Sequence, residues 1–171
     1  WFVAVSAIPL VILYPLAKRF TKWPQIILGL TFSWAVPTAW SSANEEWNLG
    51  ILFMYLATVF WIIGYDTIYG CQDKNEDEIF GIKNSAVSAK NFLTLFVGCS
   101  YSLMFCLLII SGYLLNNNIF WYIGVSICGL HLTYQVIKIK NIEQNNPLQI
   151  FRSNVVLGLL LTLSSLGNYI S

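Results

Sequence analysis

Residues 49–63 read LGILFMYLATVFWII, and the stretch that follows, Tyr65-Asp66-Thr67-Ile68-Tyr69-Gly70-Cys71-Gln72-Asp73-Lys74-Asn75-Glu76-Asp77, continues to Gly81-Ile82-Lys83. Carried on to Tyr69, the first part is an apolar helix of the roughly 20 residues needed to cross the hydrocarbon core of a bilayer. The second part gathers charge in a chain that has little of it. Only 10% of the residues are charged, yet the thirteen from Asp66 to Glu78 hold five of the eight carboxylates. An apolar span that ends in a carboxylate cluster reads as a membrane helix delivering a site to the edge of the bilayer.

Composition agrees. The chain is 57% hydrophobic and 16% aromatic, with a mean hydropathy of +0.65, outside the range of soluble domains. The pattern predicts an all-α, polytopic transmembrane helical bundle forming a single membrane domain over residues 1–171. Five full spans are expected at Pro24–Ser42, Leu49–Tyr69, Lys90–Leu114, Ile119–Ile137 and Asn154–Ile170, with a partial span in Trp1 to Tyr14, too short to cross alone. All nine basic residues then fall in alternate connections: Lys18, Arg19 and Lys22; Lys74, Lys83 and Lys90; Lys138, Lys140 and Arg152. The intervening connections carry only Glu45 and Glu46. By the positive-inside rule the basic side faces the cytoplasm, or the matrix if the membrane is mitochondrial. Trp40, Trp47, Tyr113, Trp121, Tyr122 and Tyr169 are expected as an aromatic belt on the other side.

A net charge of +1 without a basic run argues against a nucleic-acid partner. No Gly-rich phosphate loop, low-complexity linker or internal repeat is present. The sequence begins without Met or a charged leader, inside what reads as the latter half of a span, so the chain is expected to be part of a longer protein.

If the helix through Ile63 runs on through the polar stretch, Asp66, Asp73 and Asp77 lie within about 40° of one another around its axis, with Tyr69 about 60° from Asp66. Carboxylates four residues apart can share a hard divalent cation, and an oxygen-only donor set favours magnesium. A plain solvated acidic loop is the bland alternative. A calcium loop is another, because Asp73, Asn75 and Asp77 occupy the first, third and fifth positions of an EF-hand. It fails where the sixth position is Glu78 instead of Gly and the twelfth is Asn84 instead of Glu.

Read together, Tyr65–Lys83 resembles the second Asp-rich motif of the UbiA family of intramembrane prenyltransferases, most closely its 4-hydroxybenzoate polyprenyltransferase branch. Tyr14-Pro15-Leu16-Ala17-Lys18-Arg19-Phe20-Thr21, with Pro24-Gln25 and Gly29, is similar to the family's Tyr-x-x-x-Lys segment and the start of its next helix. Phe151, Ser153, Asn154 and Gly158 fit the connection into its last span. The family's first Asp-rich motif has no counterpart here, and the resemblance places these residues in the latter part of span four through span nine of a nine-span fold.

The resemblance implies magnesium-dependent transfer of a polyprenyl group from polyprenyl diphosphate to a small aromatic acid such as 4-hydroxybenzoate, in ubiquinone biosynthesis, at a bacterial or mitochondrial inner membrane. It implies Asp73 and Asp77 as metal ligands, and Tyr14 and Lys18 as diphosphate contacts. Arg19 and Lys83 are weaker candidates for the same contact, since topology alone accounts for them. Tyr65 or Tyr69 could present a ring face to a developing cation. Asp66 lies about 10 Å of helix rise before Asp73, deeper in the membrane, where an ionisable residue is costly and so suspected of function. It could orient the acceptor, assist deprotonation or pair with a polar neighbour.

Without the first motif, the 171 residues alone are expected to be inactive, and the missing N-terminal half is a candidate partner. Two other readings stand beside the enzyme: a transporter using intramembrane acids, which only Asp66 fits in depth, and a non-catalytic remnant or subunit. The haem-modifying branch fits the Asp73 motif least. His131 reads as a hydrogen-bonded interior residue, Cys99, Cys106 and Cys128 as buried small hydrophobes, Cys71 as a labelling handle, and Pro37 as a kink in its span.

Overall fold

In the computed structural model the described residues are 2–43, 46–142 and 145–167, with the side chain of Lys18 outside the description. They form helices throughout: α1 (Phe2–Val5), α2 (Ile8–Phe20), α3 (Pro24–Ser33), α4 (Ala35–Ser42), α5 (Leu49–Tyr69), α6 (Lys74–Phe80), α7 (Ser85–Ser88), α8 (Leu93–Leu114), α9 (Ile119–Lys140), α10 (Pro147–Arg152) and α11 (Asn154–Leu166). Several starts are set by Asn side chains that accept a hydrogen bond from a backbone N–H of the first turn. Asn48 accepts from Gly50 at 2.7 Å, Asn118 from Phe120 at 3.0 Å, and Asn146 from Leu148 at 2.9 Å ahead of Pro147.

Four stretches are long and apolar enough to cross a membrane: Leu49–Tyr69, Leu93–Leu114, Ile119–Lys140 and Pro147–Leu166. The expected span Pro24–Ser42 is helical in two pieces that meet at Trp34. Pro37 accounts for the break, because it has no N–H to offer the carbonyl of Ser33 four residues earlier. The belt needs one correction. Trp121 is only 3% exposed and donates its indole N–H to the Leu108 carbonyl at 3.2 Å, so it belongs to the core, whereas Trp47 and Tyr113 are exposed. The cysteines need another: Cys128 is buried as expected, but Cys99 and Cys106 are exposed. Tyr169 and Glu45 lie outside the described residues.

Neighbours in sequence are neighbours in space: α2 packs on α3, α3 on α5, α5 on α8, α8 on α9 and α9 on α11, while α10 returns to α5. Helix α5 is therefore the hub, and its most extensive partner is α8. A Cβ placed at Gly64 would lie 2.3 Å from the ring of Tyr101, so the absence of a side chain there lets the aromatic ring of α8 lie against α5. Tyr101 is in turn pinned from the far side, its hydroxyl donating to Oε1 of Gln135 at 2.7 Å.

That bond opens a polar network, buried at Tyr101, Gln135 and Asn154 and partly buried at its other members, that joins four helices. Gln135 Nε2 donates to the Ser153 hydroxyl at 3.1 Å, His131 Nε2 lies 3.0 Å from the same hydroxyl, and Trp61 Nε1 donates to Asn154 Oδ1 at 2.8 Å. The interior reading of His131 is correct. Replacing Gln135 by Leu leaves the Tyr101 and Ser153 hydroxyls without this partner, and is expected to lower the unfolding free energy by about 1–2 kcal/mol. Removing the Tyr101 hydroxyl as well should recover part of that loss, since the cost lies in stranding a buried polar group. Reversible unfolding in mixed micelles measures both, and a Gln135→Leu protein as stable as the parent would remove the network from the account.

Candidate functional site

Five elements converge at the end of α5. Asp66 and Tyr69 from its last turns, Gly70 and Asp73 from the connection, Asp77 from α6, Tyr14 from α2, Pro24 and Gln25 from the start of α3, and Asn84 before α7 enclose a cavity of about 90 Å³. That volume suits an ion with its oxygen ligands, and is well below the several hundred Å³ of a site that engulfs an organic substrate. A separate apolar groove of about 1090 Å³ runs between α8 and α9 past Gly98, Ser102, Phe105 and Gly129, and shares no lining residue with the acidic cavity.

The carboxylates meet by a different route from the one their spacing suggests. Helix α5 does not continue through the polar stretch. It closes at Gly70, whose N–H donates to the Asp66 carbonyl at 2.8 Å, and the chain turns through Cys71 and Gln72 with bonds to the Ile68 and Tyr69 carbonyls. Asp73 then stands at the N-cap of a second helix, where Asp77 N–H donates to its carbonyl at 2.8 Å. Glu76 and Asp77 in the first turn complement the helix dipole. The helix stops at Gly81, whose φ of 67° is the left-handed conformation glycine adopts without a Cβ penalty. The break folds Asp77 back toward Asp66, so the three carboxylates line one cavity from two helices and the bend between them.

Asn84 ties this bend to the bundle. Its Nδ2 donates to Asp77 Oδ2 at 2.8 Å and to the Gly70 carbonyl at 3.0 Å. Its Oδ1 accepts from Gln25 Nε2 at 3.1 Å and from the Ala86 N–H at 2.9 Å, which caps α7. Gln25 Oε1 accepts in turn from both the N–H and the hydroxyl of Ser85. The sequence pattern assigns Asn84 neither role, and places it only as the wrong residue at the end of a calcium loop. The signal that could have found it is an Asn immediately before a short run of helix-compatible residues, Ser85-Ala86-Val87-Ser88, an N-cap pattern.

Of the other candidates with described side chains, Arg19, Lys83 and Tyr65 are not among the residues that line the cavity. Lys83 Nζ donates to the backbone carbonyl of Arg19 at 3.0 Å and Ser88 to that of Lys22 at 2.9 Å, which fastens the α6–α7 connection to the end of α2. Pro15 lies inside α2, which runs from Ile8. Lys18 lies in the same helix, and its side chain is outside the described residues. Tyr65 and Tyr69 share an aromatic wall with Trp61 and Phe151. Ring centroids are 5.8 Å apart for Trp61 and Tyr65, 5.6 Å for Tyr65 and Phe151, and 5.0 Å for Tyr69 and Phe151. Tyr69 thus joins the acidic cavity to an apolar face that runs along α5.

Cys71 is a poorer handle than its position suggests. Its Sγ lies 3.4 Å from the Thr67 carbonyl, and burial pushes the thiol up to about 11 from its ordinary 9, against a smaller opposing pull from Lys74. Because the raised value keeps the thiol protonated, the reactive thiolate at neutral pH is about 100-fold scarcer than in an unperturbed cysteine, and returns only as pH approaches 11. Alkylation by a water-soluble maleimide should be correspondingly slow near pH 7.5 and accelerate up to that value. Rapid modification at neutral pH would contradict it.

The donors in the cavity are oxygens only, which fits a hard cation. Among the described residues, no group of three or more His, Cys, Asp or Glu side chains is placed to hold an ion. Two carboxylates, Asp73 and Asp77, match the way magnesium is commonly held, by one or two protein carboxylates with water or phosphate completing the shell.

The sequence profile of the UbiA prenyltransferase family matches residues 1–163. Among curated proteins the chain is 38% identical over 162 residues to a mitochondrial 4-hydroxybenzoate polyprenyltransferase of Dictyostelium discoideum, covering 90% of this chain and 34% of that protein. It is 37% identical over 164 residues to a 4-hydroxybenzoate octaprenyltransferase of Francisella tularensis subsp. novicida, covering 96% and 58%, and 33% identical over 168 residues to one of Salmonella paratyphi B, covering 97% and 57%. The chain spans between a third and three fifths of the length of these relatives. No solved structure matches it significantly.

Proposed function

The chain belongs to the UbiA prenyltransferase family, and from that premise we propose that it carries one carboxylate face of an intramembrane enzyme that transfers a polyprenyl group from polyprenyl diphosphate to 4-hydroxybenzoate in ubiquinone biosynthesis. The observation that carries the reading is the convergence of Asp66, Asp73 and Asp77 with Tyr14 and Tyr69 on one oxygen-lined cavity at the end of an apolar span. Relatives named for 4-hydroxybenzoate support the choice of acceptor. The positive-inside rule, applied to the basic connections, supports a cytoplasmic or matrix side for this cavity.

Asp73 and Asp77 would hold magnesium, which when bound neutralises the diphosphate and makes it a competent leaving group. The remaining work falls to the chain itself. Tyr14 offers a hydroxyl at the cavity for a diphosphate oxygen, and Lys18, one helical turn on, a cation for the same group. As the allylic C–O bond breaks, its electron pair leaves with the diphosphate and positive charge develops on the allylic carbon. The ring faces of Tyr69 and Tyr65, held by Phe151, stabilise that carbon and exclude water from it. The phenol ring supplies the electrons for the new C–C bond and then loses a ring proton. Asp66, the deepest carboxylate, would orient the acceptor or assist that loss. With one metal-binding face only, the 171 residues by themselves are proposed to be inactive, the rest of the protein supplying the other.

The test is formation of prenylated 4-hydroxybenzoate in membranes lacking the host enzyme, using the full-length protein with magnesium or with chelator. Magnesium-dependent product is expected. An inserted, folded protein that forms no product with any aromatic acceptor, and instead carries cations across the bilayer, would replace this reading with transport.

A further inference from the structure

The four hydrogen bonds of Asn84 are directional. A primary amide has two N–H donors and an oxygen with two acceptor sites. Here both donors point at acceptors, Asp77 Oδ2 and the Gly70 carbonyl, and the oxygen faces two donors, Gln25 Nε2 and the Ala86 N–H. Turning the amide over would set oxygen against two oxygens and N–H₂ against two N–H groups, so one orientation is fixed. Asn84 is 5% exposed and Asp77 9%, which leaves little water to substitute for any of these bonds. Gln25 is locked likewise by Ser85. Among the described residues, Oδ1 of Asp77 accepts no hydrogen bond, and Asp77 lines the cavity.

We propose that Asn84 is the positioning residue of the acidic cavity: its amide holds one oxygen of Asp77 and leaves the other to face a divalent cation, and Gly70 provides the space the amide needs. The second half of this rests on a separate observation. A Cβ at Gly70 would fall 2.5 Å from Oδ1 and 2.7 Å from Nδ2 of Asn84. The backbone there has φ −61° and ψ −12°, an ordinary helical conformation for any residue. A methyl group at this position therefore acts by displacing Asn84 and not by straining the chain. The inference rests on the proposed function only for the identity of the cation.

The experiment is a double-mutant cycle in the full-length protein, with Mn2+ binding by electron paramagnetic resonance as the first readout and the magnesium dependence of prenyl transfer as the second. Gly70→Ala is expected to weaken Mn2+ binding and raise the half-saturating magnesium concentration about 10- to 100-fold, the range for loss of a group that orients a metal ligand, with kcat at saturating magnesium within about threefold of the parent. Asn84→Ser keeps a good cap for α7 and removes the clasp without obstruction, so a smaller rise is expected. In the double variant the shorter serine side chain makes room for the methyl group at position 70, and cation binding should return to the Asn84→Ser level. Additive effects of the two changes would overturn the proposal, as would a fall in kcat with unchanged Mn2+ affinity. If Asn84→Ser fails to fold, Gly70→Ala alone decides by the same two readouts. A parent that forms prenylated product but binds no Mn2+ overturns the positioning role alone, whereas a parent that does neither removes the functional reading and this inference together.

Discussion

Asp77→Asn in the full-length protein should lower magnesium-dependent prenyl transfer on the order of a thousandfold, equivalent to about 4 kcal/mol of transition-state stabilisation. The change is isosteric, and the clasp can survive it: the carboxamide oxygen of the substituted side chain takes over the bond that Asp77 Oδ2 now accepts from Asn84 at 2.8 Å. That choice dictates the rest. With its oxygen committed to Asn84, the new side chain presents its N–H₂ group to the cavity, a donor where a cation needs an acceptor. Fold and insertion should be unaffected, because the backbone bonds from Asp77 N–H to Asp73 and from Ile82 N–H to Asp77 do not involve the side chain. The measurement is product formed per folded protein in host-null membranes. A variant that keeps more than about a tenth of the parent rate would remove Asp77 from the metal-binding role, since losing a charged ligand should cost several kcal/mol.

The membrane bundle was legible in the sequence because its signals are long and redundant: 20-residue apolar runs, and nine cations confined to alternate connections. Which residues come together at the cavity was legible in part, and how they come together was not. Asp66, Asp73, Asp77, Tyr14 and Tyr69 do line one cavity, but the alignment expected from a continuous helix does not exist, since α5 ends at Tyr69 and Asp73 caps a new helix. The carboxylate spacing constrained both shapes equally. What separates them is local, a Gly at position 70 followed by residues that cap as readily as they continue a helix. Asn84 and Gln25 were harder still, because their roles consist of hydrogen bonds spanning 59 residues of sequence, and no periodicity encodes such a pairing. The same holds for Trp121, whose type suggests an interface position and whose indole is instead satisfied inside the bundle by the Leu108 carbonyl.

Gly64→Val is the expected largest loss of stability, about 3 kcal/mol or more. A Cβ at Gly64 would meet Cε1, Cδ1 and Cζ of Tyr101 at 2.3, 2.7 and 3.1 Å, so even the first added atom overlaps the ring along its length. The ring is held where it is: Tyr101 is 3% exposed and its hydroxyl is tied to Gln135, so turning it toward the apolar groove it borders costs that bond. Relief must come from separating α5 and α8, the most extensive contact in the bundle, or from breaking the polar network that ends on Asn154 and Trp61. Separating the helices displaces Asp66, two residues further along α5, from the cavity. Activity should therefore fall along with the unfolding midpoint, and Tyr101→Ala in the Gly64→Val background should restore part of both by vacating the volume the valine needs, a coupling that independent sites do not show. Thermal inactivation of the two variants in detergent tests this. A Gly64→Val protein with the parent's midpoint would mean that α5 and α8 do not meet at this position.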